Sequence, residues 1–306
     1  MMQLRRSGTV VLAYHRVARV KRDPHLLCVD PDRFAEQMEY LRRQTDVIPL
    51  GSARERSTGS RVAITFDDGY ADNAQLARPI LEGLGMPATF FITAGMVGAG
   101  REFWWDRLES LLLSSSLDRG RLGAELDGHT ISMDVGSEVE RERAHAALHA
   151  KLRRLPPRTI DRFLDELTSQ FGSRTEQQEP HPVLSDQELL SLSSDLFEIG
   201  AHTVSHPLLS AQSPEEQEAQ IARSRTLLED MVGERVRLFS YPFGGLDAFS
   251  KETVRLVEKS GFAFACTGVA GRVSSRTHPL RVPRHFVHDW GRNEFAGRLS
   301  RWFANK

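Results

Sequence analysis

Two adjacent carboxylates, Asp67 and Asp68, stand directly after a short apolar run and constrain the fold more than any other feature. Residues 62–66 read Val-Ala-Ile-Thr-Phe, and Gly69 follows the carboxylates. An apolar, β-branched run bounded by glycine is typical of a buried strand. In a parallel sheet the carboxylates would lie at the carboxyl end of that strand, where open sheets and barrels bind ligands. Because neighbouring carboxylates repel each other, they need a cation or a shared proton; the alternative is a solvated Asp-Gly turn.

Strand and helix patterns alternate along most of the chain. The strand patterns lie at residues 9–14, 62–66, 88–93, 197–201, 236–241 and 262–266. Helical patterns lie between them, and capping boxes that start at Ser185 and Ser213 mark two helix starts. Repeated strand–helix units imply parallel strands joined by right-handed crossovers. The sequence therefore predicts an α/β fold, a (β/α) barrel that is seven-stranded and distorted.

The pattern changes between about residues 100 and 182. Helical periodicity at 138–155 and 159–171 carries no catalytic signature, and residues 125–133 are typical of a polar hairpin. We interpret this stretch as a mainly helical insertion into a single catalytic domain that spans residues 1–306. Its aromatic residues at 103–105 either line a groove or form a core, and we favour the core.

Composition excludes some classes of function. The chain has 40 basic and 41 acidic residues, a balance that argues against a general nucleic-acid binder. Cys28 and Cys266, the two cysteines, form no metal motif or disulfide framework, which indicates a reducing compartment or one whose redox state does not matter to the fold. The apolar run at residues 10–14 is too short for a signal peptide or a membrane span. If Met1 is the true start, we expect a cytoplasmic protein.

Two histidines follow the strand pattern at residues 197–201. His202 and His206 are four residues apart, a spacing that brings both imidazoles to one side of a helical turn. Pro207 disfavours helix at His206, so we expect a single turn that ends at the second histidine. Two histidines on a solvated helix face are the alternative. However, strand ends of one parallel sheet open on the same side, so the histidines would face the carboxylate pair.

Together these side chains offer one carboxylate and two imidazoles to a metal, and they leave a second carboxylate to act as a base. This donor set suits zinc, and Co²⁺, Ni²⁺ or Fe²⁺ accept it too, whereas calcium and magnesium take more oxygen ligands. Zinc lowers the pKa of bound water to about 7 and polarises carbonyl groups. The sequence therefore predicts a divalent metal site, with zinc as the expected ion.

A third segment, residues 238–245, runs from a strand pattern into a Pro-Phe-Gly-Gly turn. Backbone N–H groups in such a turn can face an oxyanion that develops during a reaction. An ordinary Pro-Gly turn is the alternative.

These three segments, in this order, resemble the polysaccharide deacetylase family, which is carbohydrate esterase family four with its NodB-homology domain. The resemblance rests on the motifs at residues 65–70, 202–207 and 241–244, and it covers about residues 10–287. The opening at residues 11–17, Val-Leu-Ala-Tyr-His-Arg-Val, is also similar to the subgroup that contains the poly-N-acetylglucosamine deacetylases.

The resemblance implies a role for each matching residue. Asp67 would be the general base, and Asp68, His202 and His206 would bind the metal. In the family's reaction the base takes a proton from metal-bound water, which attacks the acetyl carbonyl. Acetate and a free amino sugar are the products.

The third motif supplies further candidates and one departure from the family. The resemblance implies that the backbone N–H of Phe243 helps to hold the oxyanion, and we expect the side chains of Tyr241 and Phe243 to contact substrate. Many members carry an arginine before this turn that orients the base, but this chain has Ser240. We expect Arg284 to supply the missing guanidinium.

The general acid is the second departure. Many members take it from a late Leu-x-His motif, and this chain has no such motif at the matching place. His15 at the end of the first strand is the first candidate, and His285 and His288 follow it. A structural histidine is the alternative reading of each.

The sequence therefore predicts a metal-dependent hydrolase that removes acetyl groups from N-acetylated sugars of a polysaccharide, an oligosaccharide or a lipid-linked glycan. An O-acetyl esterase is the alternative, because the site attacks an acetyl carbonyl in either case. A catalytically impaired glycan-binding relative is a further alternative. Ser240 favours it, whereas the presence of Asp67, Asp68, His202 and His206 argues against it. A phosphatase is disfavoured, because that chemistry uses a spaced Asp-x-Asp pair with magnesium.

Overall fold

The structure, a computed structural model, describes residues 8–113, 120–171 and 181–304. In chain order its strands are β1 (Gly8–Tyr14), β2 (Arg16–Val17), β3 (Cys28–Val29), β4 (Asp46–Val47), β5 (Ser60–Phe66), β6 (Ala88–Ile92), β7 (Arg121–Leu126), β8 (His129–Asp134), β9 (Phe197–Ala201), β10 (Leu238–Ser240), β11 (Phe264–Cys266) and β12 (His285–Phe286). Its α-helices are α1 (Pro31–Gln44), α2 (Arg78–Leu84), α3 (Trp104–Leu112), α4 (Glu138–Leu152), α5 (Pro157–Phe171), α6 (Asp186–Ser191), α7 (Pro214–Val232), α8 (Lys251–Lys259) and α9 (Arg292–Ala304). Two short 3₁₀ helices (Leu50–Ser52 and Leu209–Ala211) and a π-helix (Asn73–Ala77) complete the described elements.

The chain divides into two compact units, one of Met1–Gly100 with Val183–Lys306 and one of Arg101–Pro182. In the larger unit, seven strands lie in the order β11-β10-β9-β6-β5-β1-β12, and β4 pairs with β5 beside this path. Every pairing in this sheet is parallel. With helices between the strands, this is a seven-stranded half-barrel, and the predicted α/β fold with a distorted (β/α) barrel is confirmed.

Helix starts in the larger unit follow the capping rules. Asp30 accepts a hydrogen bond from the backbone N–H of Asp32 at the start of α1. Ser185 begins α6 with a complete capping box, and Ser213 caps α7 through the N–H of Glu216. The two helix starts predicted at Ser185 and Ser213 are therefore confirmed.

An aromatic row packs the sheet against α1. The ring of Phe66 on β5 stacks on Tyr14 of β1 at 5.5 Å and on Phe90 of β6 at 4.9 Å, measured between ring centroids. Phe34 of α1 meets Tyr14 edge-on at 5.3 Å. All four side chains are buried. Packing of this kind fixes the end of β5 immediately before the carboxylate pair.

The described part of the smaller unit, residues 101–113, 120–171 and 181–182, contains three helices and a hairpin. β7 and β8 pair antiparallel around the two-residue turn Asp127-Gly128, in which both residues have positive φ. Such a turn matches the twist of a hairpin, and the predicted hairpin is confirmed. The rings of Phe103 and Trp105 stack at 4.5 Å and both are buried with Trp104, so the aromatic residues belong to a core. That this unit is an insertion into one catalytic domain stays a prediction.

None of the described helices combines the length and the hydrophobicity that crossing a lipid bilayer requires.

Gly200 on β9 tests the packing of the sheet. A Cβ at this position would lie closer than 3.0 Å to two ring atoms of Phe91, which is fully buried. We expect Gly200→Ala to lower the free energy of unfolding by about 1–3 kcal/mol, because the ring has no space to move into. Urea denaturation of the purified protein measures this change.

The matched control is Gly297→Ala in α9, where a Cβ would meet nothing within 4 Å. This change should leave the protein as stable as before or more stable by about 0.5–1 kcal/mol, because alanine is the better helix former. Equal stability of the Gly200→Ala and Gly297→Ala variants would contradict this description of the core.

Candidate metal centre and catalytic carboxylate

The carboxylates Asp67 and Asp68 follow β5 and are both buried. The N–H of Asp67 donates to the carbonyl of Tyr14 at 2.9 Å, which continues the parallel ladder by one residue. Asp68 then turns into the left-handed region with φ 75°. Such a conformation is uncommon in a residue other than glycine, and the break in direction gives the two carboxylates different neighbours.

Asp68 lies beside both predicted histidine ligands. Its Oδ1 is 3.5 Å from Nε2 of His202 and 3.4 Å from Nε2 of His206, and the two imidazole centroids are 4.8 Å apart. Three residues that are remote in sequence thus bring one donor atom each to a common point, with all three atoms within 4.8 Å of one another.

The segment between the histidines is a bent loop, so the predicted helical turn is wrong. Thr203 and His206 both have positive φ, 65° and 57°. The N–H of His206 donates to Oγ1 of Thr203 at 3.0 Å. Gln220 of α7 fixes the bend, because its Oε1 accepts from the N–H groups of Val204 at 3.1 Å and Ser205 at 3.0 Å. Side-chain acceptors therefore replace the backbone bonds that a helical turn would need.

A hydrogen bond to the backbone sets the orientation of His202. Its Nδ1 lies 2.7 Å from the carbonyl oxygen of Ser240. Since a carbonyl oxygen only accepts, Nδ1 carries the proton and Nε2 presents its lone pair towards Asp68. Histidines that bind metals are held in this way in other proteins.

The three donors fit a divalent metal. Asp68 Oδ1 is buried, and no group in the described residues donates a hydrogen bond of good geometry to it. A buried carboxylate oxygen without a hydrogen-bond donor is costly unless a cation lies beside it. One carboxylate and two imidazoles are donors that zinc and its first-row neighbours accept.

Asp67 is bound by a guanidinium instead. Arg284 Nη1 donates to Asp67 Oδ1 and Nη2 to Oδ2, both at 2.7 Å, and the arginine side chain is fully buried. Arg284 is itself fixed, because its Nε donates to the carbonyl of Thr267 and its Nη1 to Oγ1 of Thr65, both at 3.1 Å. Two parallel bonds of this kind hold a carboxylate in one plane.

Ser240 joins the same pair. Its hydroxyl donates to Asp67 Oδ2 at 3.2 Å and accepts from Arg284 Nη2 at 2.8 Å. The serine therefore leaves room for a guanidinium that comes from the segment before β12. The structure thus brings the expected guanidinium of Arg284 to Asp67 and Ser240, which agrees with the expectation that it orients this carboxylate.

Charge at the centre follows from these contacts. Burial raises the pKa of Asp67, but the Arg284 guanidinium and then His202 outweigh it and hold this pKa well below its usual range. Burial also raises the pKa of Asp68. Its imidazole neighbours, His202 foremost, outweigh this effect and hold the pKa of Asp68 below its ordinary value. Burial lowers the pKa of His206 to about 3. The centre therefore offers two carboxylates and a neutral His206 imidazole, the form that binds a metal.

Among the predicted acid candidates, His15 is the one that the fold brings to the centre. It follows β1, and its ring stacks on Phe286 with centroids 5.6 Å apart. Burial lowers its pKa, while the charges of Asp68 and Asp67 raise it. His285 instead stacks on Trp302 at 4.5 Å, and Nδ1 of His288 lies 2.9 Å from the carbonyl of Leu26 in a more exposed position.

The third motif places its two aromatic residues differently. Phe243 has φ 63°, and its ring lies 4.8 Å from that of His206, beside the metal donors. Tyr241 is buried in the core, where its hydroxyl donates to the carbonyl of Leu280 at 3.0 Å and its ring stacks on Phe249. The structure therefore does not bring the Tyr241 side chain to the carboxylates, and the expectation that it contacts substrate is not supported by this placement.

Sequence patterns missed several residues that position the centre. Gln220 lies in the middle of a helix without any local signal of its role. Asn73 Nδ2 donates to the carbonyl of His15 at 2.8 Å, and Asp72 accepts from Arg16 Nε at 2.8 Å. The motif at residues 65–70 ends just before Asp72 and Asn73, so their nearness to it was the one available signal.

Comparison with known proteins agrees with this geometry. The sequence profile described as polysaccharide deacetylase matches residues 54–265 of the 306. The chain belongs to the polysaccharide deacetylase family. The resemblance stated from the three motifs is therefore confirmed.

One curated relative and two solved structures illustrate the family. YxkH of Bacillus subtilis (strain 168), itself named only provisionally as a polysaccharide deacetylase, is 22% identical over 213 residues, which make up 70% of this chain and 46% of YxkH. The chain thus spans about half the length of that relative. IcaB from Ammonifex degensii has a TM-score of 0.60 at 18% identity, with 99% of both chains covered. Streptococcus pyogenes deacetylase PplD has a TM-score of 0.61 at 16% identity, with 96% of this chain and 99% of PplD covered. At such identities these structures show that the fold is shared.

Arg284→Met tests the buried ion pair. The change leaves the carboxylate of Asp67 buried without its cation, so the free energy of unfolding should fall by about 3–5 kcal/mol at pH 7. Adding Asp67→Asn to this variant should restore part of the loss, because it removes the unpaired charge. Denaturant unfolding at pH 7 measures both variants.

Arg255→Met is the matched control, because Arg255 pairs with Glu252 on the surface of α8. Its effect on stability should be small. A similar fall in the free energy of unfolding in the Arg284→Met and Arg255→Met variants would show that the buried pair of Arg284 and Asp67 is no more important for stability than a surface pair.

Gln220→Ala tests the loop that carries His206. Without Oε1, the N–H groups of Val204 and Ser205 lose their acceptor and the bend relaxes. We expect zinc affinity to fall about 10–100-fold, as is typical when a group that orients metal ligands is removed. Competition with a chromophoric chelator gives the dissociation constant.

Gln217→Ala is the matched control for this change. Gln217 is also a buried glutamine of α7, but it contacts Gln212 and Thr253 instead of the loop. Its zinc affinity should stay near that of the unaltered protein. Equal weakening in the two variants would assign the effect to α7 as a whole.

Proposed function

We propose that the chain is a metal-dependent de-N-acetylase that removes acetyl groups from N-acetylated sugars of a polysaccharide, an oligosaccharide or a lipid-linked glycan. The observation that carries the proposal is the division of the two adjacent carboxylates. Asp68 converges with two imidazoles, whereas Asp67 is held by Arg284 beside them. Membership of the polysaccharide deacetylase family supports the same reaction.

Asp68, His202 and His206 would hold the metal, and we propose zinc, with Co²⁺, Ni²⁺ or Fe²⁺ accepting the same donors. When bound, a divalent ion of this type supplies a Lewis acid and activates water near neutral pH. His202 contributes with its Nε2 lone pair, which the carbonyl of Ser240 orients. The solved PplD structure holds acetate, which would be one of the two products here.

Asp67 is proposed to act as the general base. Arg284 occupies one acceptor position on each carboxylate oxygen, Ser240 occupies a second one on Oδ2, and a carboxylate has about four such positions. A lone pair of Asp67 therefore remains to take a proton from the attacking water, and Arg284 keeps the carboxylate ionised until then. The hydroxide adds to the acetyl carbon, the C–N bond breaks, and the amine leaves with a proton.

His15 is proposed as the acid that protonates the leaving amine, because it lies at the end of β1 beside the two carboxylates. The backbone N–H of Phe243 is proposed to stabilise the oxyanion, since Phe243 lies against His206. Both assignments rest on placement at the centre together with the family resemblance.

An O-acetyl esterase is the second candidate. Burial lowers the pKa of His15, so a smaller fraction of this imidazole carries the proton that a leaving amine needs at neutral pH. An alkoxide leaves with less help from an acid than an amine does, so this feature favours ester substrates. Comparing acetate release from N-acetylated and O-acetylated sugars separates the two reactions.

Asp67→Asn and His206→Ala separate the roles of the base and the ligands. The first should keep its metal and lose acetate release by about 10²–10⁴-fold, because it removes the proton acceptor. The second should lose both. Metal analysis after dialysis and acetate release from N-acetylglucosamine oligomers, before and after chelation, measure these effects.

Equal metal loss in the two variants would refute the division of roles. A metal-loaded protein that releases no acetate from any N-acetylated or O-acetylated glycan would favour a glycan-binding relative that has lost turnover.

A further inference from the structure

A second set of metal-binding side chains lies in the smaller unit. It consists of Asp106, Glu109 and His181, which bring one donor atom each to a common point, with all three atoms within 4.8 Å of one another. We call it the second donor group. Asp106 and His181 are buried. Within residues 8–113, 120–171 and 181–304, this set and the one at Asp68 are the two that converge in this way.

Tertiary structure assembles the second donor group. Asp106 and Glu109 are three residues apart on α3, a spacing that brings both carboxylates to one face of the helix. His181 comes from the opposite end of the smaller unit in sequence. Its position is fixed by its backbone N–H, which donates to Oε1 of Glu102 at 3.0 Å. The imidazole therefore meets the two carboxylates through the fold and not through a local motif.

The distances in the second donor group suit a shared cation. Nδ1 of His181 lies 3.8 Å from Oδ1 of Asp106, which is too far for a direct hydrogen bond between these two atoms. Two ligands of one tetrahedral zinc ion, each at about 2.0–2.2 Å from the metal, are about 3.4 Å apart. A small movement of either side chain would therefore allow both atoms to bind one ion.

Charge favours a cation as well. Two carboxylates that lie close together in a protein interior repel each other unless a cation or a shared proton intervenes. The arginines nearest to them on the chain bind carboxylates of α5, since Arg101 Nη1 donates to Asp161 Oδ2 at 3.3 Å and Arg107 Nη2 donates to Asp165 Oδ1 at 2.7 Å. A divalent ion would balance both carboxylates of the second donor group at once.

We propose that the second donor group binds a divalent first-row cation, for which Zn²⁺ is the probe, at a structural site in the smaller unit. Two carboxylates and one imidazole are donors that zinc accepts, with water completing the shell. Because Asp106 and His181 are remote in sequence, the ion would close a long loop and stabilise this unit. The inference goes beyond the proposed function, and it does not depend on acetate release.

The second donor group should bind zinc more weakly than the centre at Asp68, because it has one imidazole and that centre has two. One equivalent of zinc would then fill the centre at Asp68, and dialysis would empty the second donor group. Its zinc binding is therefore measured at equilibrium, by competition with a chromophoric chelator.

Zinc titration of the metal-free, full-length protein tests the proposal. We expect the unaltered protein to bind two equivalents and the His181→Ala variant to bind one. The His202→Ala/His206→Ala protein should still bind about one equivalent. Adding His181→Ala or Asp106→Asn to that protein should weaken this binding by at least about 100-fold, because losing a ligand costs more than losing a group that only orients one.

Matched controls separate a built site from adventitious binding at the surface. His129 is an exposed histidine of β8, and Asp161 is a partly exposed aspartate that pairs with Arg101. His129→Ala or Asp161→Asn, added to the His202→Ala/His206→Ala protein, should leave its zinc affinity unchanged. Calorimetry should also show that saturating zinc raises the Tm of that protein by about 5 °C, and that Asp106→Asn abolishes the rise.

Two results would overturn the proposal. One is a single equivalent of zinc bound to the unaltered protein at saturation. The other is zinc binding to the His202→Ala/His206→Ala protein that neither His181→Ala nor Asp106→Asn weakens. Neither result concerns acetate release, so the proposed function would stand. Conversely, a protein that releases no acetate but binds the second equivalent through His181 and Asp106 would support the site. Circular dichroism confirms that each variant is folded.

Discussion

The bidentate hydrogen bonds between Arg284 and Asp67 decide how the centre is organised. Two carboxylates that are adjacent in sequence would otherwise compete for one cation or share a proton. The buried guanidinium takes one of them, and the left-handed backbone of Asp68 directs the other towards His202 and His206. This division of neighbours supports the proposal that Asp67 acts as the base and Asp68 as a metal ligand.

Backbone strain is concentrated where the chemistry is proposed. Asp68, Thr203, His206 and Phe243 all have positive φ, and they lie in the three loops that follow β5, β9 and β10. Each such residue costs on the order of 1–3 kcal/mol, and it persists when the surroundings determine its conformation. Here the surroundings include the acceptor oxygen of Gln220 and the carbonyl of Ser240 that orients His202. The scaffold of parallel strands supplies the rigidity, and the loops hold the proposed ligands in conformations that an isolated peptide would not adopt.

Much of this arrangement could be predicted from the sequence. The apolar runs show where strands end, and their alternation with helical patterns shows that the strands are parallel. The apolar runs before Asp67 and His202 were enough to predict that both residues lie at the same edge of a parallel sheet, where the carboxyl ends of its strands meet. The conformation between His202 and His206 could not be read from spacing, since a side chain of α7 fixes it from outside the motif. Arg284 was expected from the family resemblance and the serine at position 240, since its position 44 residues later gives no local signal. Tyr241 shows the opposite limit: a motif residue can face the core while its neighbours face the site.

X-ray absorption at the zinc edge of protein loaded with one equivalent of Zn²⁺ tests the central claim most directly. The account predicts scattering from two imidazoles at about 2.0–2.1 Å and from the oxygen of one carboxylate, with water completing the shell. It also predicts the same spectrum for the Asp67→Asn variant, because the Asp67 carboxylate is hydrogen-bonded to Arg284 and does not bind the metal. A zinc shell without imidazole, or one that changes when Asp67 is neutralised, would contradict it.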